Sequence, residues 1–575
     1  MTDSVSQPAG WGRWRRVRAS AAVTGLLSIA TTTGRAEAVI PSTEEAVERG
    51  LSYVMQNAPQ TYGYVGFGCG FADLDGDYDQ DVVILGAADG HVGLFENDGT
   101  GHFSDRSAGS GIAILTQGSG LAAADYDGDG DIDLYLTQVA LPNVLYRNDG
   151  LFQFIDVTMT AGVGDPGASM GACFADFDGD GRLDLYVCNQ AGGIAGPPDQ
   201  RNVLYHNLGQ GVFDDVSAAQ TVDDPGFGFE AVWTDYDRDG DVDLYLSNDK
   251  GHQPPLFRAN QLWRNDAGQL VNVSAASGAG IALWSMGLAC GDFDGNGWPD
   301  LYCTNIPTPL LDNPLLLNQG DGTFIEAGVV AGVNNPFVSW GAIFFDFDNN
   351  GHLDLYVNNS ADPNTLYLNS GAYPAVEVAA AAKVTAGSGR SFSSAVADVD
   401  ADGDLDLLVN NLDGNVQLFI NHEGETRRWI RYDVVGQGAN RFAVGGSVDT
   451  RIQDMWQFRE VLAGGNGYLG QNELTLHVGA DLASTADEVV VTWPGGATRT
   501  LTNLATNRTW RIYPPERLGD MDGDGDVDAN DLAVFVAVLL GTDPTPDRFF
   551  LSDMNGDGLA DGLDIMPFID AMLLP

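Results

Sequence analysis

From about residue 60 to 425 the apolar residues fall in short runs broken by turns rich in Asp, Asn and Gly, and the runs recur in a fixed order. After Asp133 the chain reads LYLTQ, then NVLYRNDG, then FQFIDVT and AGV; after Asp184 it reads LYVCN, NVLYHNLGQG and VFDDVS. Tyr, Val, Leu and Phe in runs of this length between such turns predict strands joined as hairpins. Each repeat holds four: one entering an acidic loop, one leaving it, one through an LYxN segment and one through an FxDVT segment. The acidic loop begins at Asp73, Asp125, Asp176, Asp235, Asp292, Asp346 and Asp398, so successive copies lie 52, 51, 59, 57, 54 and 52 residues apart. Four antiparallel strands repeated radially make a blade, and seven copies predict a mainly β chain built on a seven-bladed β-propeller. Residues 39 to 51, VIPSTEEAVERGL, read as a degraded copy of the FxDVTxxAGV strand. They are expected to supply the outer strand of the seventh blade and clasp first and last repeats together.

The loop between the first two strands carries the candidate chemistry. Its second copy reads DYDGDGDIDLYL. Position 1 is the Asp that opens each copy, and position 3 is Asp75, Asp127, Asp178, Asp237, Asp294, Asp348 and Asp400. Position 5 is Asp77, Asp129, Asp180, Asp239, Asn296, Asn350 and Asp402, and position 9 is Asp81, Asp133, Asp184, Asp243, Asp300, Asp354 and Asp406. A hard divalent cation such as Ca2+ takes six to eight oxygens from a flexible cage, and this spacing supplies them from one turn. Position 7 is Asp79, Asp131, Arg182, Asp241, Trp298, His352 and Asp404, a freedom expected where the ligand is a backbone carbonyl. Asn at position 5 keeps the oxygen and drops a charge. An Asp/Gly-rich solvated turn explains one such copy but not seven with the same tolerated position.

Two further acidic loops follow Pro514-Pro515: DMDGDGDVDANDLAVFVAVLLG and, 33 residues on, DMNGDGLADGLDIMPFIDAMLLP. Each has EF-hand spacing: Asp520, Asp522, Asp524, Asp526, Asp528 and Asp531, then Asp553, Asn555, Asp557, Leu559, Asp561 and Asp564, with Leu559 offering its carbonyl. Nine calcium sites are therefore expected. The formal net charge of -53, from 27 basic and 80 acidic residues, argues against nucleic acid or an anionic membrane as partner. Without cations the acidic clusters repel one another.

The first 38 residues read as an export signal, with basic Arg13 to Arg18, small and apolar Ala19 to Ala30, and a small-x-small cleavage pattern at Ala36-Glu37-Ala38. A secreted protein without a membrane span is expected. Cys173 and Cys188 bracket one acidic loop and Cys290 and Cys303 another; the spacing is compatible with two disulfides or with small buried strand residues, and Cys69 stands alone.

The seven GxxxADxDGDGxxDLYV units resemble the FG-GAP or VCBS repeats of integrin-α-like propellers, whose loops bind calcium on one face of the disc. In residues 426 to 513 the loops stop, and NRFAVGG, LTLHVG and VVVTWPGG resemble the ASPIC/UnbV domain that follows such propellers in cartilage acidic protein-like chains. That resemblance implies a small β-rich domain and no agreed activity. After a linker at 514–517, residues 518–575 resemble type I dockerin repeats, since position 12 is Asp and each loop precedes one helix. Dockerins dock a cohesin module through loop positions 10 and 11, here Ala529 and Asn530, then Gly562 and Leu563. These do not repeat between the copies, which argues against symmetric docking.

No HExxH, CxxC or P-loop occurs. Gly167-Ala168-Ser169-Met170-Gly171 fits a nucleophile elbow, but Ser169, Ser285, Ser339 and Ser391 all stand seven residues before their loops, which marks a repeat position. His477 in its strand reads as structural. The sequence thus points to a secreted, calcium-stabilised recognition or adhesion propeller, binding a glycan or extracellular protein on its loop face and tethered through a cohesin-like partner. The rivals are an extracellular polysaccharide-degrading enzyme and a structural adhesion scaffold.

Overall fold

The computed structural model describes residues 39–56, 66–190, 201–249, 259–308, 311–386, 390–521, 527–543, 545–556 and 558–572. The export signal read at 1–38 and the candidate ligands Asp522, Asp524, Asp526 and Asp557 lie outside them.

The repeats fold into seven four-stranded antiparallel sheets. In the second, Gly118–Ala124, Asp133–Gln138, Val144–Asn148 and Phe154–Asp156 lie in chain order from the inside out. The innermost strands, beginning at Cys69, Gly118, Ser169, Gly228, Leu288, Ser339 and Arg390, pack each against the next, and the last against the first. Seven strands converging on one axis leave little room. Their sequences are accordingly small, GSGLAAA and SMGACFA for example, and both of these are buried along their whole length. The seventh sheet takes its outer strand from the other end of the chain, where Thr43 pairs with Ile420 and Glu44 with Phe419. This is the clasp expected from residues 39 to 51.

The cysteines belong to these crowded strands. All five are buried and free. Cys173 lies opposite Tyr186, Cys290 opposite Leu301 and Cys303 opposite Leu288, so each bracketing pair is diagonal across its ladder, beyond disulfide reach.

Residues 428–512 form a three-stranded sheet (Arg428–Val434, Leu476–Asp481, Arg508–Ile512) and a four-stranded one (Ser447–Ile452, Met455–Glu460, Thr485–Thr492, Thr498–Ala505). Their apolar core is continuous with the second and third blades: Val448, Val489, Trp493 and Trp510 share one cluster with Tyr135, Leu145, Phe174 and Leu185. This β module also sends a segment into the propeller. Gly464 pairs with Cys173, Gly467 exchanges backbone hydrogen bonds with Leu288, and Leu469 accepts one from Leu121. Gln471 bonds the backbones of Cys69 and Phe71, and its side chain bonds both N–H and C=O of Ala123. Glu230 accepts from the N–H of Leu469, Asn472 from the N–H of Val396, and Tyr468 packs against Trp340. These partners span the inner strands of all seven blades, and only the axis borders them all. Residues 463–472 therefore plug the central channel. Gly465 is required there, because its φ is +76° and a Cβ would stand 1.9 Å from the Ala231 carbonyl oxygen.

The tail carries helices α1 (Asp531–Leu539), α2 (Pro546–Ser552) and α3 (Ile565–Met572). α1 and α3 each follow an acidic loop as expected; α2, opened by Pro546, is additional. Phe535 of α1 and Phe568 of α3 stack with ring centroids 3.9 Å apart at the centre of the tail's core.

Candidate metal centres

Each propeller loop is wound around its own carboxylates. In the second loop Asp125 accepts the N–H groups of Gly128, Asp129 and Gly130 at 2.8, 3.1 and 3.0 Å, and Asp129 accepts that of Asp131. Asp133 accepts the Tyr126 N–H across the loop and the Asn148 N–H from the third strand. This winding brings ligand oxygens of Asp125, Asp127 and Asp133 within 4.8 Å of one another; Asp73, Asp75 and Asp81 converge in the same way, as do Asp176, Asp178 and Asp184. In the fourth loop the converging set is Asp235, Asp237 and Asp239. The position 3 oxygen Oδ1 of Asp75, Asp127, Asp237 and Asp400 is buried with no hydrogen-bond partner. A cation in the loop would satisfy those orphaned acceptors, so the residues fit calcium. Where position 5 is Asn, the exchange has a second use. Asn296 and Asn350 still accept from the N–H two residues on, while their amides donate to the carbonyls of Asn318 and Asn369.

Burial, with repulsion from neighbouring carboxylates, raises the most enclosed of the loop carboxyls. Asp81, Asp133 and Asp184 are pushed up to about 9, mainly by burial, and Asp243, Asp300, Asp354 and Asp406 also rise well above the ordinary range. Asp125, Asp235 and Asp346 reach about 7 by burial with neighbouring carboxylates adding to it, and Asp404 about 8. A bound divalent cation removes this cost, since it favours the charged form.

The loop face is not open. Residues of the β module reach most of its loops. Arg441 donates to the Gly128 carbonyl, Glu460 accepts from the Asp235 N–H, and Arg238 pairs with Asp449. Arg427 pairs with Asp348 at 2.7 Å and Arg431 with Asp398 at 3.1 Å. His477, whose burial lowers it to about 3, donates from Nε2 to the Gly403 carbonyl. Arg511 stands 3.7 Å from the Tyr78 ring centroid. The chain's own C-terminal sheets therefore cover much of the loop face on which a glycan or protein partner was expected.

One recurrent group went unread in the sequence. Asn97, Asn148, Asn207, Asn265, Asn318, Asn369 and Asn421 stand at or just past the end of the third strand of each blade, and each donates to a carbonyl in the preceding blade's loop: Val399, Leu74, Tyr126, Phe177, Tyr236, Phe293 and Phe347. The bond from Asn97 to Val399 closes the circle. The signal was the invariant Asn of LYxN. Ser169 is likewise a fastening, donating to Asn189 Oδ1 and accepting from Asn143.

In the tail, Asp553 accepts the N–H groups of Gly556 and Gly558, and Asp564 those of Asn555 and Asp561. Asp531 accepts those of Met521 and Asp528. The second loop rests on the β module, with the Thr502 N–H on the Gly556 carbonyl and Arg499 on the Asp553 carbonyl.

Comparison with known proteins agrees with this division. The family model described as FG-GAP-like repeat matches residues 73–136, 139–187, 235–303 and 346–409; that of ASPIC and UnbV matches 436–518, and that of the dockerin type I domain 518–573. Cartilage acidic protein 1 of Xenopus tropicalis is 26% identical over 504 residues, 80% of this chain and 76% of that protein. The Mus musculus protein of the same name is 23% identical over 481 residues, 69% and 74%. Among solved structures, BBS1N in complex with ARL6DN aligns over 67% of this chain and 97% of that one at 10% identity, with a TM-score of 0.41, too low to carry an argument.

Proposed function

We infer that this chain, which carries FG-GAP-like repeats, an ASPIC and UnbV segment and a type I dockerin domain, works as a calcium-stabilised extracellular recognition and adhesion protein held in an assembly by its tail. FG-GAP repeats and type I dockerin domains are typically calcium-binding and usually extracellular, and a dockerin implies a cohesin-like partner. Among the described residues no helix is long and apolar enough to cross a membrane. In this reading all nine acidic loops hold calcium and the protein is not an enzyme.

The observation that carries it is the burial of the acidic loops against the β module. Metal held where Arg427 and Arg431 pair with Asp348 and Asp398 and Arg441 donates to the Gly128 carbonyl would support structure at the seam between the propeller and the β module. On the tail, Leu532, Val536 and Leu540 fall on one side of α1 and stay exposed, as do Leu563, Met566 and Ile569 around α3. Such apolar faces suit a docked partner.

The test is to incubate the calcium-loaded protein with a panel of extracellular polysaccharides, scoring retention and new reducing ends, with chelated protein as control. Calcium-dependent retention without cleavage is expected. New reducing ends would make the protein a polysaccharide-degrading enzyme, and no retention on any member would overturn glycan recognition.

A further inference from the structure

Although the β module covers most of the loop face, it leaves a groove of about 630 Å³ where it meets the fourth, fifth and sixth loops. Trp456 stands at one wall, 41% exposed, on the strand Met455–Glu460. Its ring is backed by the Arg451 guanidinium, 5.7 Å from the centroid, and Arg451 is held in turn by Glu488 at 3.0 Å. The rest of the lining is mostly polar, with Arg238, Asp294, Asn296 and His352 from the propeller loops and Asp449 and Asp454 from the module, beside apolar Met455 and Val490. Arg238 is fixed three ways, on Asp449, on the Gly297 carbonyl at 2.8 Å and over the Phe458 ring at 4.4 Å.

We propose that this groove binds a neutral oligosaccharide. The proposal rests on the recognition reading above and narrows it to one site and one ligand class. An exposed indole face matches the C–H face of a pyranose ring, giving apolar contact at little entropic cost. Planar carboxylate and guanidinium groups, here Asp454 and Arg238, bond pairs of vicinal hydroxyls in a way that rotating Ser or Lys side chains do not. The volume lies within the range of small-ligand sites, and the side chains stand on strands and wound loops that hold them in place. Charge selects among sugars. Arg238 is already paired with Asp449, Asp454 adds negative charge, and the chain carries -53 overall, so uronates and sulfated glycans are repelled.

The experiment is calorimetric titration of the full calcium-loaded chain with cellohexaose, mannohexaose and xylohexaose, with hexagalacturonate as the charged probe. At least one neutral hexasaccharide should bind and hexagalacturonate should not. Trp456→Ala should weaken that binding about tenfold or more, with an unchanged urea midpoint because the side chain is half exposed, and Trp456→Phe should recover part of it. Binding that survives Trp456→Ala at full strength, or a preference for hexagalacturonate, overturns the groove while leaving recognition elsewhere on the protein standing. If the wild type retains neither these sugars nor any polysaccharide of the panel, the recognition reading falls and the groove with it.

Discussion

The ring of asparagines gives the sharpest test of how the blades are joined. Asn207 is 1% exposed; its amide donates to the Tyr126 carbonyl at 2.9 Å and the Leu183 carbonyl at 3.0 Å, and its Oδ1 accepts the Gly209 N–H at 2.9 Å. Asn207→Ala keeps the backbone bond to Asp184 but removes all three side-chain bonds, two of them leaving buried carbonyls without that donor. At about 1 kcal/mol per buried hydrogen bond the loss is about 3 kcal/mol. Asn207→Asp preserves shape and the Gly209 bond but turns an acceptor toward two carbonyls, so it should cost more than alanine. Urea unfolding followed by tryptophan fluorescence in saturating calcium measures both, with exposed Met159→Ala as a control expected within about 0.5 kcal/mol of wild type. A cost for Asn207→Ala below about 1 kcal/mol, or an aspartate variant more stable than the alanine one, would refute the account of the amide as an inter-blade donor.

Three further outcomes are expected. Asp125→Ala combined with Asp127→Ala should remove one ion from the calcium-loaded protein, counted by native mass spectrometry, and lower its melting temperature; an unchanged count would sink the loop assignment. In chelator, Asp176, Asp125 and Asp81 have folded pKa values raised to about 6, 7 and 9, so the contribution of such buried carboxyls is fullest below the ordinary carboxylate range and is lost as pH climbs through those values. Chelated protein should therefore melt higher at pH 5 than at pH 9, while in calcium the order should reverse because acid competes with the ion. Removing residues 518–575 should leave a folded, monodisperse remainder by size exclusion and circular dichroism, whereas removing 426–575 uncovers the channel around Phe229, Trp340 and Phe392 and should yield aggregate; a well-behaved product of the longer deletion would show that the plug is dispensable.

What the sequence disclosed and what it hid divide along the range of the interactions. Loops and strands were legible because each is a local pattern written seven times, and even the clasp at Thr43 could be read, since it repeats a strand already seen six times. The plug could not. AGGNGYLGQN reads as a glycine-rich turn, and its burial depends on inner strands such as those at Cys69 and Leu121, hundreds of residues earlier in the chain. The cysteine question was decided by register, which a one-residue offset changes and spacing does not encode. The position 1, 3 and 9 aspartates were visible as a repeated acidic pattern, but nothing local to a loop announces that Arg431 or His477 will lie against that face.

The covered face changes what the net charge of -53 means. The acids are concentrated on one side of the propeller, and the β module answers them with Arg427, Arg431 and Arg441, while Arg459 lies in the field of Asp346 and Asp292. A cation bound in the sixth or seventh loop would therefore act on the same carboxylates as Arg427 and Arg431, from within the loop where the arginine acts from above it. An ion that neutralises Asp398 from inside weakens the pull on Arg431, whereas its removal leaves the arginine as that carboxylate's nearest positive charge. The module's attachment does not rest on these charges alone, since it is also held by a shared apolar core and by the plug. Where this seal ends, the groove beside Trp456 and the exposed apolar faces of the tail helices are the surfaces left for the proposed recognition.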